Sequence, residues 1–165
     1  MVNCPTTTER QFAVSPNVAI VDNDPDGVLT NIVISDQPGT VGILEVRLNI
    51  SHTFIGDLVV SLSNGTDSIE LLNRPVSSAF SISCSSNNLN VILRDGASSP
   101  INSGTCNVIS ANPAFPAGAN LRPFQALSVF SGADVNGTWT LTVSDNAAGD
   151  IGIVNSWSLD FVIAR

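Results

Sequence analysis

The 165-residue sequence has no lysine and no tyrosine, one histidine and three cysteines, and only 12% of its residues are charged. Without lysine there is no side-chain amine for Schiff-base or amine-base chemistry. The six basic residues are all arginine, and against fourteen carboxylates they leave a net charge of −8. A chain this acidic has no electrostatic footprint for a phosphate backbone or an anionic membrane, so nucleic acid and membrane are excluded as partners. No apolar run reaches the roughly 18 residues that a membrane helix needs, and Met1-Val2-Asn3-Cys4-Pro5-Thr6 lacks the basic-then-apolar pattern of a signal peptide. No window repeats apolar residues at i, i+3, i+4 and i+7, so no long helix is expected.

Serine, threonine and asparagine instead make up 49 residues, giving a surface of hydroxyls and amides. That composition suits a secreted or extracellular protein whose leader and neighbouring domains have been trimmed away. Three Asn-x-Ser/Thr sequons begin at Asn49, Asn64 and Asn136, and chance matches are expected in a chain so rich in these residues. The length suits one domain, residues 1–165, able to bury roughly 70% of its unfolded surface. Residues 1 to about 15 form an N-terminal arm, of which the first dozen or so are loosely held. The isolated chain is expected to be a monomer.

Leu44, Val46, Leu48 and Ile50 alternate with Glu45, Arg47 and Asn49, the period of two that places apolar groups on one face of a strand. The same alternation runs through 58–62, 139–143 and 157–163, and shorter β-branched runs occupy 18–21, 32–34 and 90–93. Turn residues separate them: Asn64-Gly65 suits a hairpin, and Asp26-Gly27, Asp95-Gly96 and Asn136-Gly137 are similar. Seven or more strands so punctuated predict an all-β sandwich. Residues 97–122, crowded with glycine and proline, read as a long irregular loop.

Cys4, Cys84 and Cys106 form no CxxC, and a four-ligand zinc site would need every cysteine and the one histidine. A disulfide between Cys84 and Cys106 across the irregular loop is the preferred reading, which leaves Cys4 for a partner outside the chain. There is no GxSxG, HExxH, P-loop or dinucleotide fingerprint. The one base for a serine nucleophile would be His52, in Ser51-His52-Thr53-Phe54-Ile55-Gly56-Asp57, and the plainer role is an imidazole hydrogen-bonded to loop backbone beside Asp57. A paired-carboxylate hydrolase stays open, because fourteen carboxylates always contain some pair. Asp22-Asn23-Asp24-Pro25-Asp26-Gly27 resembles the first half of a calcium loop but has Val33 where an EF-hand needs its glutamate. Its three carboxylates repel unless a cation or neighbouring N–H groups meet them. The expected calcium set is drawn from Asp22, Asp24, Asp26, Asp57, Asp95 and Asp145, and the alternative is a solvated acidic turn.

His52-Thr53-Phe54-Ile55-Gly56-Asp57-Leu58, Asn64-Gly65-Thr66, Phe130-Ser131-Gly132, Gly137-Thr138-Trp139-Thr140-Leu141-Thr142-Val143, and Gly152-Ile153 with Trp157-Ser158-Leu159 occur in that order. Together they resemble the P domain, or Homo B domain, of kexin- and furin-type proprotein convertases and of many secreted bacterial peptidases. The resemblance runs from about Ile20 to Ile163, with Ile153 where leucine is usual. Asp22 matches a family position, whereas Asp24 and Asp26 match none. The segment from Cys84 to Cys106, with Arg94-Asp95-Gly96 inside it, looks like the bacterial subgroup. The resemblance implies a jelly-roll β-sandwich of galactose-binding-like type, without catalytic residues, abutting a subtilisin-like or other peptidase domain of the same polypeptide. Such a domain would stabilise its neighbour and assist engagement of a protein substrate. The alternative is a carbohydrate- or protein-binding jelly-roll module, whose sugar-binding form would need exposed aromatic platforms. Both tryptophans fall on the apolar side of their alternations, which favours the accessory domain.

Overall fold

The computed structural model describes residues 6–77, 83–106 and 113–165. Among the described residues twelve strands run in chain order: β1 (Thr7–Val14), β2 (Val18–Ile20), β3 (Asp24–Ile34), β4 (Thr40–His52), β5 (Leu58–Ser63), β6 (Ser68–Asn73), β7 (Val76–Ser77), β8 (Leu89–Leu93), β9 (Ser103–Cys106), β10 (Ala119–Leu121), β11 (Gly137–Asp145) and β12 (Gly152–Ala164). One sheet has the order β1-β12-β4-β8-β10, with β2 also on β12, and the second has the order β3-β11-β5-β6. Strands β7 and β9 make a separate parallel pair. The expected all-β, two-sheet architecture is therefore what the chain adopts.

The alternation sets the packing. Val46, Leu48 and Ile50 of β4 are buried between the sheets while Glu45, Arg47 and Asn49 point out. From the second sheet Trp139 reaches across to Phe161 of β12 at 5.3 Å between ring centres, and Phe130 closes on the other side of Trp139 at 5.1 Å. Edge-to-face contacts of this kind add about 0.5–1.5 kcal/mol to area burial. The Trp139 indole N–H donates to Val135 O at 3.0 Å. Trp157 is equally buried, but its N–H finds no partner among the described residues.

Several local expectations are met or corrected. The Asn64-Gly65 hairpin joins β5 to β6, with Asn64 Oδ1 accepting from the N–H groups of Thr66 and Asp67. Asp26-Gly27 is not a turn between strands. It lies inside β3, where the register against β11 slips between Val143 and Asp145. Gly27 has φ of +73°, and a Cβ there would stand 2.7 Å from Val143 O, so the bulge requires glycine. Thr7–Val14, within the stretch read as an arm, is instead an edge strand paired with β12 along its length, held by Phe12 packing on Phe161. The stretch 97–122 is not wholly irregular: β10 pairs in parallel with β8, and Pro100 bridges Arg122. Three residues of parallel pairing are too short to show as periodicity. Cys4 lies outside the described residues.

Candidate site at the strand ends

The motif-bearing residues converge where β4, β11 and β12 begin or end. His52, the last residue of β4, is 2% exposed and opposite Gly152 in the register. Its ring packs closely on that glycine, since a Cβ on Gly152 would fall 2.5 Å from His52 Cδ2. Nδ1 stands 3.1 Å from Phe54 N, which donates to it, and 2.9 Å from Phe54 O. Nε2 stands 3.0 Å from Oδ2 of Asp145, a carboxylate with no exposed surface. Asp145 Oδ1 accepts from Ala147 N at 3.1 Å.

The surrounding loop is pinned in the same way. Gly56 donates to Cys84 O at 2.8 Å and Ile55 to Ser86 O at 3.0 Å. A Cβ on Gly56 would stand 2.7 Å from Cys84 N, so glycine lets the two segments touch. Cys84 is bonded to Cys106, with their Cα atoms 5.9 Å apart, so the disulfide anchors the segment that closes over this loop. Thr53 Oγ1 donates to Asp150 at 2.6 Å and accepts from Ile151 N.

The expected carboxylates separate into individual roles. Asp22 accepts from Gly149 N at 2.9 and 3.2 Å, and Asp24 accepts from Asp26 N at 3.1 Å. Asp26 is exposed. Asp95 accepts from Leu127 N and Ser128 N, each at 2.8 Å, which caps the 3-10 turn Leu127–Phe130 away from the other acids. Asp57 is buried, with Arg74 Nη2 at 3.7 Å. Burial, followed by the charges of Asp145 and Asp150, pushes its carboxyl above the usual aspartate range, and Arg74 and His52 offset only part of this. Among the described residues no three His, Cys, Asp or Glu side chains are gathered to hold a metal. The donors that meet Asp22, Asp24 and Asp95 are backbone N–H groups.

For catalysis the geometry is equally confining. Both nitrogens of His52 are directed inward, to Phe54 and Asp145, and neither meets a hydroxyl. The backbone contact expected for the imidazole is present, but its carboxylate partner is Asp145 rather than Asp57. Sequence reading missed this pair because the residues are 93 positions apart. The signal was available only as an aspartate closing the β11 alternation.

The two outer sheet faces differ in chemistry. Over β1, β12, β4 and β8 a surface groove of about 600 Å³ is lined by Glu9, Gln11, Glu45, Arg47, Arg94 and Asp160, among others. Asp160 is met by Gln11 and Arg47, and Arg94 by Glu45. The face over β3, β11 and β5 carries Leu29, Asn31, Val33, Thr138, Thr140, Ser61 and Ser63, with no charge among them. Among the described residues Phe124 is the one aromatic of the large apolar side chains that are exposed, and both tryptophans are buried, so no sugar-binding platform is assembled from the tryptophans.

A family model described as the proprotein convertase P-domain matches residues 99–161. Leupeptin-inactivating enzyme 1 of Streptomyces exfoliatus is 26% identical over 159 residues, which cover 95% of this chain and 27% of that enzyme. A serine protease of Aeromonas sobria shares the fold, at 17% identity and with 98% of this chain covered. The TM-score is 0.60 for that protease and 0.62 for its complex with a chaperone. In both structures the match takes up 28% of the larger chain. The chain therefore spans about a quarter of the length of the relatives it matches. The P-domain resemblance read from the sequence is borne out. No described helix is long and apolar enough to cross a membrane.

Proposed function

We propose that this chain is a non-catalytic P domain that packs against a peptidase domain of the same polypeptide in the extracellular space. The observation that carries the reading is the coverage: nearly all of this chain aligns with about a quarter of a much longer enzyme. The site geometry supports it, because the one histidine is spent on holding loops together and reaches no nucleophile. The domain's contribution is then stability. Inter-domain packing of ordinary extent buries about 600–1,500 Å², and a neighbour that binds only the folded peptidase raises its stability by linkage. Assistance in engaging a protein substrate belongs to the same proposal.

The test is deletion of this domain from the complete polypeptide. Folded yield and thermal lifetime fall, while turnover per folded molecule on a small peptide is unchanged. If folding is unaffected and only cleavage of a large protein is lost, the domain captures substrate rather than stabilising its neighbour. Hydrolysis of peptides or esters by the isolated chain, abolished by His52→Gln, would overturn the reading.

A further inference from the structure

A β-sandwich exposes the unpaired backbone of its edge strands, and natural sheets blunt those edges with charge, brevity or cover. Three of the four main edges here are blunted. β1 carries Glu9 and Arg10 in the middle of its length, and β10 is three residues long. β6 is covered by the segment at 124–125: Phe124 N donates to Leu71 O, Gln125 N to Glu70 O, and Gln125 Oε1 accepts from Glu70 N.

The fourth edge is β3, whose ladder partner among the described residues is β11 alone. From Gly27 to Ser35 it holds no charged residue and no proline. Leu29 and Val33, two of its outward side chains, are 62% and 72% exposed. Strands β1 and β2 approach β3, but no described backbone group other than those of β11 pairs with these nine residues, which span about 30 Å.

The charges around this edge decide what fits it. Asp24 and Asp26 stand at one end and Asp36 at the other, and among the described residues none of the three has an arginine partner. A second copy paired antiparallel would set Asp24 and Asp26 against the partner's Asp36 at both ends, between chains of net charge −8. A strand with basic residues at its ends meets the opposite condition. Asp26 and Asp36 are ten positions apart, so matching basic groups would be about 33 Å apart in an extended chain.

We propose that the β3 edge, Gly27 to Ser35, is a docking site for an extended peptide segment, apolar and hydroxyl-bearing in its middle and basic at both ends, which adds to the second sheet as a fifth strand. Backbone pairing supplies the affinity, Leu29 and Val33 cover its outward side chains, and the flanking aspartates select the charge. The site stands apart from the stabilising role proposed above, so the deletion experiment and the one below fail independently.

The probe is an eleven-residue peptide with arginine at each end and alternating threonine and valine between, compared with the same peptide ending in glutamate. Amide hydrogen exchange of the 165-residue chain is followed by NMR at millimolar peptide and low salt. The arginine peptide is expected to slow alternate β3 amides between Val28 and Ile34 at least tenfold. Leu29→Lys with Val33→Lys removes the effect, and Asp26→Asn with Asp36→Asn weakens binding several-fold; all four positions are exposed, and unchanged melting would show the variants fold. Equal binding of the glutamate peptide, slowing confined to other strands, or no slowing at all overturns the proposal. Protection of β3 that grows with protein concentration in the absence of peptide also overturns it, by making a second copy the occupant.

Discussion

The strand end around His52 and the edge along β3 lie in the same sandwich and treat their polar groups in opposite ways. At the strand end every donor and acceptor of the imidazole faces inward, and Asp145, Thr53, Asp57 O and Gly56 N are met by side chains or backbone from distant parts of the chain. Along β3 one side of the backbone is laddered to β11 and the other has no ladder partner among the described residues. Motif density is therefore a poor guide to where this protein acts. The most patterned residues serve closure of the fold, and the available surface belongs to a stretch of β3, Val28 to Ile34, that carries no motif.

The comparison can be broken first at His52. Removing the imidazole takes the hydrogen bond from Oδ2 of buried Asp145, leaving only Ala147 N on its other oxygen, and empties a buried space, so His52→Ala should cost about 3 kcal/mol or more. Denaturant unfolding measures this, and a cost below 1 kcal/mol would show that the strand end is not a closed unit. Next comes the disulfide that anchors the covering segment: Cys84→Ser with Cys106→Ser should cost about 3 kcal/mol for a loop of this length.

Asp57 sharpens the comparison through pH. Because its folded pKa is raised, the folded chain binds more protons than the unfolded chain between the ordinary aspartate value and the raised one, and stability contributed by this group falls as pH rises through that window. Asp57→Asn should therefore stabilise the chain at neutral pH, with the gain shrinking as the pH is lowered through the raised pKa. A gain that grew on acidification would reverse the assignment. Leu29→Lys, by contrast, should change stability by less than about 0.5 kcal/mol, the ordinary figure for an exposed position. Millimolar calcium against chelator tests whether Asp22, Asp24, Asp26, Asp57, Asp95 and Asp145 supply a cation site, and an unchanged melting temperature would count against one. A rise would show that a cation gathers them.

Strands with strict alternation were legible because their two faces meet different surroundings: β4, β5, β11 and β12 fall where Leu44, Leu58, Leu141 and Phe161 said they would. The disulfide followed from cysteine arithmetic. Strand β1 was not legible, since its side chains alternate only weakly and it depends on β12 for a partner. Nor was the role of Asp95 as a cap, because the N–H groups it meets come from residues more than thirty positions away. Of the six proposed calcium ligands, sequence proximity grouped Asp22, Asp24 and Asp26, whereas the fold places Asp145 against His52, Asp57 beside Arg74, and Asp22 and Asp95 on N–H groups distant in the chain. Local spacing reports repulsion between carboxylates but not which N–H groups relieve it.

The central claim, that the strand end is closed and the β3 edge is open, is tested most directly by amide exchange on the isolated chain without any ligand. The account predicts that amides of Asn146 and of β5 and β11 exchange only on global or near-global opening, while alternate amides of β3 between Val28 and Ile34 exchange orders of magnitude faster within an otherwise stable strand. Uniformly slow exchange along the whole of β3 would contradict it.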